Sequence, residues 1–418
     1  MYIKYFFLIL VILLIGCSPN LQKKEIPATN SNKTVLDINK TVLQVEHSSD
    51  VYSVAFSPDG KTALSGSRDG TVKWWDLSSG RVIRSLDGDS FYVTSVAFSP
   101  DGKTALSGNG NNSIKWWDLS SGRVIMSLEG HSSDVESVVF SPDGKTALSG
   151  GSNSVKWWDL SSGRVIKSLD AHSKTVTSVA FSPDGKTALS GSWDRSVKWW
   201  DLSSGRVIMS LNGHSGYVRA VAFSPDGKTA LSGSEDNSVK WWDLSSGRVM
   251  KSLDGHSGYV RAVAFSPDGE TALSGGEDNS VKWWDLSSGR VMKSLDGHSG
   301  YVTSVVFSPD GKMALSGSTD TTSRLWNLET GEEIINLVGF ENGKGVAIVP
   351  EVDFYVASPQ GEKHIYIDFG NHKVGRIDKY EEYKSFFHRP DIIEFVLQFR
   401  GDVKRAIALA NQRKGETE

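Results

Sequence analysis

The chain has 418 residues, a formal net charge of −4 at neutral pH and 38% hydrophobic residues, an ordinary composition for a globular protein. Its lysines do not cluster into a basic stripe, so nucleic acid is excluded as an expected partner. Its single cysteine, Cys17, excludes a disulfide within one chain and a metal site built from cysteines.

Residues 1–16 have the pattern of an export signal. One cationic residue, Lys4, precedes an apolar run from Tyr5 to Ile15. About a dozen apolar residues fall short of the ~20 that a spanning helix needs, although an uncleaved anchor is the alternative. The segment therefore predicts a signal peptide that ends at residue 16.

The residues around the cysteine indicate how the mature chain is held. Leu14-Ile15-Gly16-Cys17 resembles the lipobox of bacterial lipoproteins, which implies cleavage before Cys17 and lipid attachment to its thiol and new amino group. Ser18 follows in place of the aspartate that implies inner-membrane retention, so the outer membrane is favoured if the cell has two membranes. The rest of residues 17–40 is polar and without a period, which predicts a flexible tether.

One repeat fills the chain between His47 and Leu337. Its copies follow one another every 41 or 42 residues, and a fixed period of this length indicates a solenoid or a propeller. The second tryptophan of a Trp-Trp pair, or its single equivalent in the last copy, marks the register at Trp75, Trp117, Trp158, Trp200, Trp242, Trp284 and Trp326.

Each repeat predicts four antiparallel strands. In the copy at residues 218–255, the runs VRAVAF, TALSG, SVKWWDL and RVMKSL are separated by turn clusters. Pro225 and Gly227 close the first hairpin, because proline pre-sets its φ angle and glycine tolerates a positive one. Trp241 and Trp242 point to opposite faces of their strand, so both faces need cover. Sheets stacked around an axis provide that cover.

At Gly213-His214, Ser232, Asp236 and Trp242-Asp243 the copy resembles the WD-repeat β-propeller family. In that family the equivalents of His214, Ser232, Asp236 and Trp242 form one hydrogen-bonded set, which implies a structural role for them here. A metal site or a catalytic base is the alternative, but the recurring histidines lie on different repeats and metal ligands must converge on one ion. We therefore expect no metal and no cofactor.

The number of blades depends on the two ends of the repeat region. Thr41 to Glu46 occupies the place of an outermost strand, and in the family such a strand completes the last blade. Residues from Val346 onward align without a gap with those from Val54 onward. The aligned pairs are Pro350 with Pro58, Ser358 with Gly66, Ile367 with Trp75, and Asp368 with Asp76. We therefore expect an all-β propeller of eight blades over residues 41–377; seven blades with an appended hairpin are the alternative.

The last residues, 378–418, predict short α-helices that pack on or cap the propeller edge. Tyr380, Tyr383 and Phe387 recur at helical spacing, as do Ile392, Phe395, Val396 and Phe399.

Where the copies differ, they differ at three positions that the resemblance places in the loops at one rim. The fourth to seventh copies carry large aromatic and arginine side chains there, of the types that dominate interface energetics. These residues are Trp193, Tyr217, Arg219, Tyr259, Arg261 and Tyr301. We interpret them as a partner-binding sector; drift at exposed sites of duplicated repeats is the alternative.

These observations together predict a non-enzymatic, monomeric scaffold, lipid-anchored in the bacterial cell envelope, that binds protein or peptide partners through its rim loops. Its expected contact with a membrane is through the lipid alone. The alternative function is a receptor for glycan or cell-wall ligands, with the same aromatic rings stacking on sugars. An enzyme is the third hypothesis, but the serines and aspartates of the repeats are accounted for by turns.

Overall fold

The computed structural model describes residues 47–78, 80–87, 91–340, 344–349, 354–357, 366–368 and 374–376, with side chains up to residue 334. The predicted signal peptide, Cys17, the tether at 17–40, the strand at 41–46 and the helices at 378–418 lie outside these residues. Within the described ranges, no helix is long and apolar enough to cross a membrane.

The described residues form strands joined by turns. The strands are β1 Val51–Phe56, β2 Thr62–Ser67, β3 Thr71–Asp76, β4 Arg81–Asp87, β5 Val93–Phe98, β6 Thr104–Asn109, β7 Ser113–Asp118, β8 Arg123–Glu129, β9 Val135–Phe140, β10 Thr146–Gly151, β11 Ser154–Asp159, β12 Arg164–Asp170, β13 Val176–Phe181, β14 Thr187–Ser192, β15 Ser196–Asp201, β16 Arg206–Asn212, β17 Val218–Phe223, β18 Thr229–Ser234, β19 Ser238–Asp243, β20 Arg248–Asp254, β21 Val260–Phe265, β22 Thr271–Gly276, β23 Ser280–Asp285, β24 Arg290–Asp296, β25 Val302–Phe307, β26 Met313–Ser318, β27 Ser323–Asn327, β28 Glu333–Phe340, β29 Lys344–Val349, β30 Phe354–Ala357, β31 Tyr366–Asp368 and β32 Val374–Arg376.

Each repeat forms one antiparallel sheet of four consecutive strands, as its pattern of strands and turns predicts. Blades 1 to 7 are these sheets in chain order, from β1–β4 to β25–β28. The first strand of each blade is its inner strand, which faces the axis, and the fourth is its outer strand. In blade 7 the sheet continues outward with β29 and β30, whereas β31 and β32 form a separate two-stranded sheet among the described residues.

The first hairpin of each blade is closed by its Ser-Pro-Asp-Gly turn. In blade 5 the Ser224 hydroxyl donates to Asp226 at 2.7 Å, and the Gly227 amide donates to the Ser224 carbonyl at 2.9 Å. Gly227 has a φ of +70°, which glycine adopts at little cost. The turn chemistry therefore fixes the register of the two inner strands.

The paired tryptophans hold neighbouring blades together. Trp242 is 1% exposed and packs with Leu189 and Val218 on the side of blade 4. Trp241 packs on the other side, against Val260 and Trp284 of blade 6. Each blade is therefore sandwiched between two neighbours, as the alternation of the pair predicts.

Blades also approach closely at their inner strands. Gly233 in β18 has no Cβ, and a Cβ placed there would lie 2.7 Å from a methyl carbon of Val260. Hydrogen bonds cross the same boundaries: between blades 4 and 5, the Val221 amide donates to the Ser178 hydroxyl at 3.1 Å, and the Thr177 hydroxyl donates to the Val218 carbonyl at 2.7 Å.

The ring closes directly between blade 7 and blade 1, so the expectation of eight blades is wrong. The Val54 amide donates to the Ser304 hydroxyl at 3.1 Å, and the Thr303 hydroxyl donates to the Val51 carbonyl at 2.6 Å. These are the contacts that join blades 4 and 5, and they leave no gap for another blade. The protein is an all-β propeller of seven blades.

The stretch taken for an eighth copy instead extends blade 7, because β29 pairs with β28 and β30 pairs with β29. The sequence alignment placed Ser358 at the position of Gly66, where a Cβ would lie 2.7 Å from a methyl carbon of Val93 in the next blade. That position needs glycine in every blade, so a serine there does not fit the contact between blades.

The inner strands surround an axial cavity of ≈ 730 Å³. Its wall is built from the same five residues of each blade, Val54 to Pro58 in blade 1 and their equivalents in the other six. The wall is mostly apolar, and each blade contributes one phenylalanine to it.

Candidate functional site

The predicted structural set of blade 5 forms one chain of hydrogen bonds. The Trp242 indole N–H donates to the Ser232 hydroxyl at 2.8 Å, and that oxygen lies 2.7 Å from His214 Nε2. His214 Nδ1 lies 2.8 Å from Asp236. Burial opposes ionisation of Asp236, yet hydrogen bonds from His214 and Ser238 hold the pKa of its carboxyl below the usual range. The set ties the loop before β17 to β18 and β19.

The same chain recurs in four further blades, so it is part of the framework. Its members are His47, Ser65, Asp69 and Trp75; His172, Ser190, Asp194 and Trp200; His256, Ser274, Asp278 and Trp284; and His298, Ser316, Asp320 and Trp326. Among the described residues, no three His, Cys, Asp or Glu side chains come close enough together to hold a metal ion.

Blade 3 departs from this arrangement because its repeat is one residue shorter. His131 Nε2 lies 2.6 Å from Ser149, but its Nδ1 atom is buried and has no hydrogen-bond partner within the described part of the chain. Burial lowers the pKa of His131 to about 4.

The loops that precede the inner strands and those that join the second and third strands meet at one end of the ring, the upper face. In blade 5 the Glu235 amide donates to the Tyr217 carbonyl at 2.9 Å, and in blade 6 the Glu277 amide donates to the Tyr259 carbonyl at 2.8 Å. All six residues predicted to bind a partner belong to these loops or to the adjoining ends of inner strands.

Trp193, Tyr217 and Arg219 form one cluster on the upper face, together with Lys174 and Glu235. The rings of Trp193 and Tyr217 are stacked, with centroids 5.9 Å apart and planes inclined by 22°. The guanidinium carbon of Arg219 lies 5.2 Å from the Trp193 ring centre, and Lys174 Nζ lies 5.0 Å from that of Tyr217. Arg219 also donates from Nε and Nη2 to Glu235 Oε1, with the Nε bond at 2.8 Å.

Arg261 and Tyr301 form a second cluster with Glu277. Arg261 lies 5.6 Å from the Tyr301 ring centre and donates from Nε to Glu277 Oε1 at 2.8 Å. Tyr301 is 44% exposed and Tyr259 is 42% exposed. The predicted sector is therefore two clusters with the exposed Tyr259 ring between them in chain order.

Sequence reasoning missed the roles of Glu235 and Glu277. Each glutamate lies 16 residues after its arginine, and no other repeat has an arginine at the earlier position. This shared occurrence within the chain is the signal that could have paired them. The two carboxylates hold the guanidinium groups in fixed orientations.

The arginines replace contacts between blades. Blades 2, 4 and 7 have a threonine at the arginine position, and its hydroxyl donates to the next blade's carbonyl. The following residue is a serine in five blades and accepts a bond from the next blade's amide, but Ala220 and Ala262 cannot do so. Blades 5 and 6 therefore lack framework bonds where they carry charged surface groups.

Seven successive stretches of the chain match the repeat described as "WD domain, G-beta repeat", and together they cover more than half of it. The stretches are residues 40–76, 80–118, 122–159, 163–201, 205–243, 247–285 and 289–327. The small ribosomal subunit protein RACK1 of Medicago sativa is 48% identical to this chain over 44 residues. That match spans 10% of this chain and 14% of the relative's length. With seven matched repeats folded into seven blades, the chain belongs to the WD domain, G-beta repeat family of β-propellers.

Proposed function

We propose that this protein is a scaffold, lipid-anchored in the bacterial cell envelope, that binds protein or peptide partners through the upper face of blades 4 to 7. Members of the family are usually non-catalytic scaffolds that bind protein partners. The observation that carries the proposal is the pair of aromatic and arginine clusters around Trp193 and Arg261.

The clusters have the properties of interface anchors. Tryptophan, tyrosine and arginine are enriched among the residues that contribute most to protein binding. Arg219 and Arg261 are each held by a glutamate and lie over an aromatic ring, so part of the side-chain entropy that binding removes is already lost in the free protein.

The anchoring part of the proposal rests on the sequence around Cys17. The predicted tether from Ser18 to Lys40 would extend to at most about 80 Å. As a flexible coil it would have an end-to-end distance of roughly 25 Å. Both lengths allow the propeller to stand clear of a membrane surface and reach other envelope proteins.

A glycan receptor is the competing function. Stacking on sugars needs a free aromatic face, and the Trp193 ring already lies against Tyr217 and Arg219. Tyr259 and Tyr301 are the more exposed rings. The contacts of Trp193 favour a protein partner.

The test is an affinity pull-down from envelope extract with the chain from Ser18 onward. The sector variant carries Trp193→Ala, Arg219→Ala and Arg261→Ala. The matched control carries Lys145→Ala, Lys186→Ala and Lys228→Ala, three exposed lysines in the turns at the other end of the ring.

A protein retained by the parent and the control, but lost by the folded sector variant, would support the proposal. Equal recovery by all three chains would refute the sector. Release of the captured material by soluble glycans would favour the receptor function. Metabolic labelling with an alkyne fatty acid, abolished by Cys17→Ala, tests the lipid anchor separately.

A further inference from the structure

The upper opening of the axial cavity is ringed by the second residue of each inner strand. These residues are Tyr52, Thr94, Glu136, Thr177, Arg219, Arg261 and Thr303. In blade 1, Tyr52 lies two residues before Val54, where the cavity wall begins, a distance of roughly 7 Å along a strand. A side chain bound at this opening therefore has an apolar cavity directly below it.

Most members of this ring already have partners. The hydroxyl groups of Thr94, Thr177 and Thr303 donate to carbonyl oxygens of the next blade. Arg219 and Arg261 are ion-paired with glutamates of their own blades. The three threonines are neutral, and the two glutamates balance the charges of the two arginines. This part of the opening therefore has no net charge.

Glu136 is the exception. Within the described part of the chain its carboxyl group forms no hydrogen bond and no ion pair. Burial raises the pKa of Glu136, and the negative charge of Asp134 raises it further. The positive charge of Arg219 in blade 5 lowers it in part. The opening therefore contains one partly buried carboxylate whose charge is not compensated by a close partner.

Tyr52 of blade 1 and Tyr92 of blade 2 meet at the same end of the ring. The rings of Tyr52 and Tyr92 meet edge to face, with centroids 6.4 Å apart. Tyr92 is fixed in place: its hydroxyl donates to Asp134, and its ring covers Gly110, where a Cβ would lie 2.5 Å from it. The bond to Asp134, burial, and the charges of Asp134 and Glu136 raise the pKa of Tyr92 to about 12. The charge of Glu136 thus reaches the Tyr92 hydroxyl.

We propose that this opening binds one basic side chain of a polypeptide partner, with Glu136 as its counter-ion and the rings of Tyr52 and Tyr92 beside it. A guanidinium group suits a carboxylate and an aromatic ring together, and its aliphatic stem suits an apolar wall. A metal ion fits less well, because no group of three ligating side chains converges among the described residues. This inference rests on the proposed function, since it names the chemistry of a partner held at the same face.

The test uses the full-length chain in detergent and a phage-displayed library of random heptapeptides. We expect the selected peptides to share one arginine or lysine at a fixed position. In a synthetic peptide, replacing that arginine by neutral citrulline, or that lysine by acetyl-lysine, is expected to weaken binding about tenfold to a hundredfold.

In the protein, Glu136→Gln is expected to lower the affinity for the parent peptide by the same factor and to leave the affinity for the neutral peptide unchanged. Glu129→Gln removes an exposed carboxylate from the outer strand of blade 2 and is expected to have no effect. Thermal unfolding of Glu136→Gln should occur at the same or a higher temperature, because the substitution removes a partly buried charge.

Selected peptides without a basic residue, or equal binding by Glu136→Gln, would overturn the proposal. The Trp193→Ala variant separates it from the wider function. Peptides whose binding depends on Glu136 but not on Trp193 would support the site at the opening and count against the sector. Peptides whose binding depends on Trp193 but not on Glu136 would support the sector and count against the site at the opening. Failure to select any peptide would count against both.

Discussion

Removing the Ser232 hydroxyl tests whether the buried hydrogen-bond chain stabilises blade 5. Ser232 is 0% exposed, and its oxygen accepts the indole N–H of Trp242 at 2.8 Å. The Asp236 carboxylate only accepts, so the single N–H of a neutral His214 ring is on Nδ1, and Nε2 accepts the Ser232 hydroxyl at 2.7 Å. His214 is then protonated on Nδ1 and donates to Asp236. The Ser232→Ala variant loses the central link of this chain.

The variant leaves two buried polar atoms without a partner, the Nε1 of Trp242 and the Nε2 of His214. Each such loss costs about 1 to 3 kcal/mol, and because the two bonds share one oxygen we expect a combined loss of roughly 2 to 4 kcal/mol. No compensating contact is available, since both atoms lie in a packed interior.

Urea unfolding measures the global change, and hydrogen exchange of amides in β18 and β19 measures the local one. Both are needed, because blades of a repeat protein can unfold separately. The control is Ser252→Ala, an exposed serine on the outer strand of the same blade, which should change stability by less than about 0.5 kcal/mol. A loss from Ser232→Ala as small as that of the control would refute the argument.

Three further predictions concern the same framework. Gly233→Ala places a Cβ 2.7 Å from a Val260 methyl carbon and should lower the free energy of unfolding by about 1 to 3 kcal/mol in urea titrations. Hydrogen bonds to Asp236 hold its pKa below the ordinary aspartate value of 3.8, so its ionised form stabilises the fold above that pH and the contribution is lost as the pH falls further. In urea titrations at a series of acidic pH values, Asp236→Asn should show a weaker dependence of unfolding on pH. Burial lowers the pKa of His131 from the ordinary 6.5 to about 4, so the unfolded chain binds this proton more readily and stability is lost as the pH falls through that interval. The protection of β10 and β11 amides, corrected for the pH dependence of intrinsic exchange, should therefore decrease there, and less so in His131→Gln.

The strands and their order could be predicted from the sequence because each repeat carries its own turn signals and its Trp-Trp pair. The blade number could not be obtained by aligning positions alone. In the alignment, Ser358 opposite Gly66 was one difference among many. The structure shows that a Cβ at Gly66 would lie 2.7 Å from a methyl carbon of Val93, so this position accepts no side chain. Steric limits between blades are a property of the assembled ring and have no separate signal within a single repeat.

The predicted sector was identified by residue type, and its internal contacts could not be read from type alone. Trp193 and Tyr217 belong to different blades, so their stacking depends on how neighbouring blades are set against each other. The pairing of Arg219 with Glu235 depends on the register of β17 and β18, in which the loop residues face each other across the hairpin. Glu136 was one glutamate among the variable residues, and only the closed ring brings it within electrostatic reach of Arg219, two blades away.

The closure of the ring has a consequence for how this protein can change. Every blade is one uninterrupted segment of chain, and blade 7 meets blade 1 through the bonds used at other boundaries. A copying event that replaces one blade's segment with a neighbour's would keep the ring intact while transferring that blade's surface groups to a new angle around the axis. The Arg–Glu ion pair that occurs in both blade 5 and blade 6 is an example of a surface group shared by neighbouring blades. The surface residues of this propeller can therefore change one blade at a time while its interior residues stay the same.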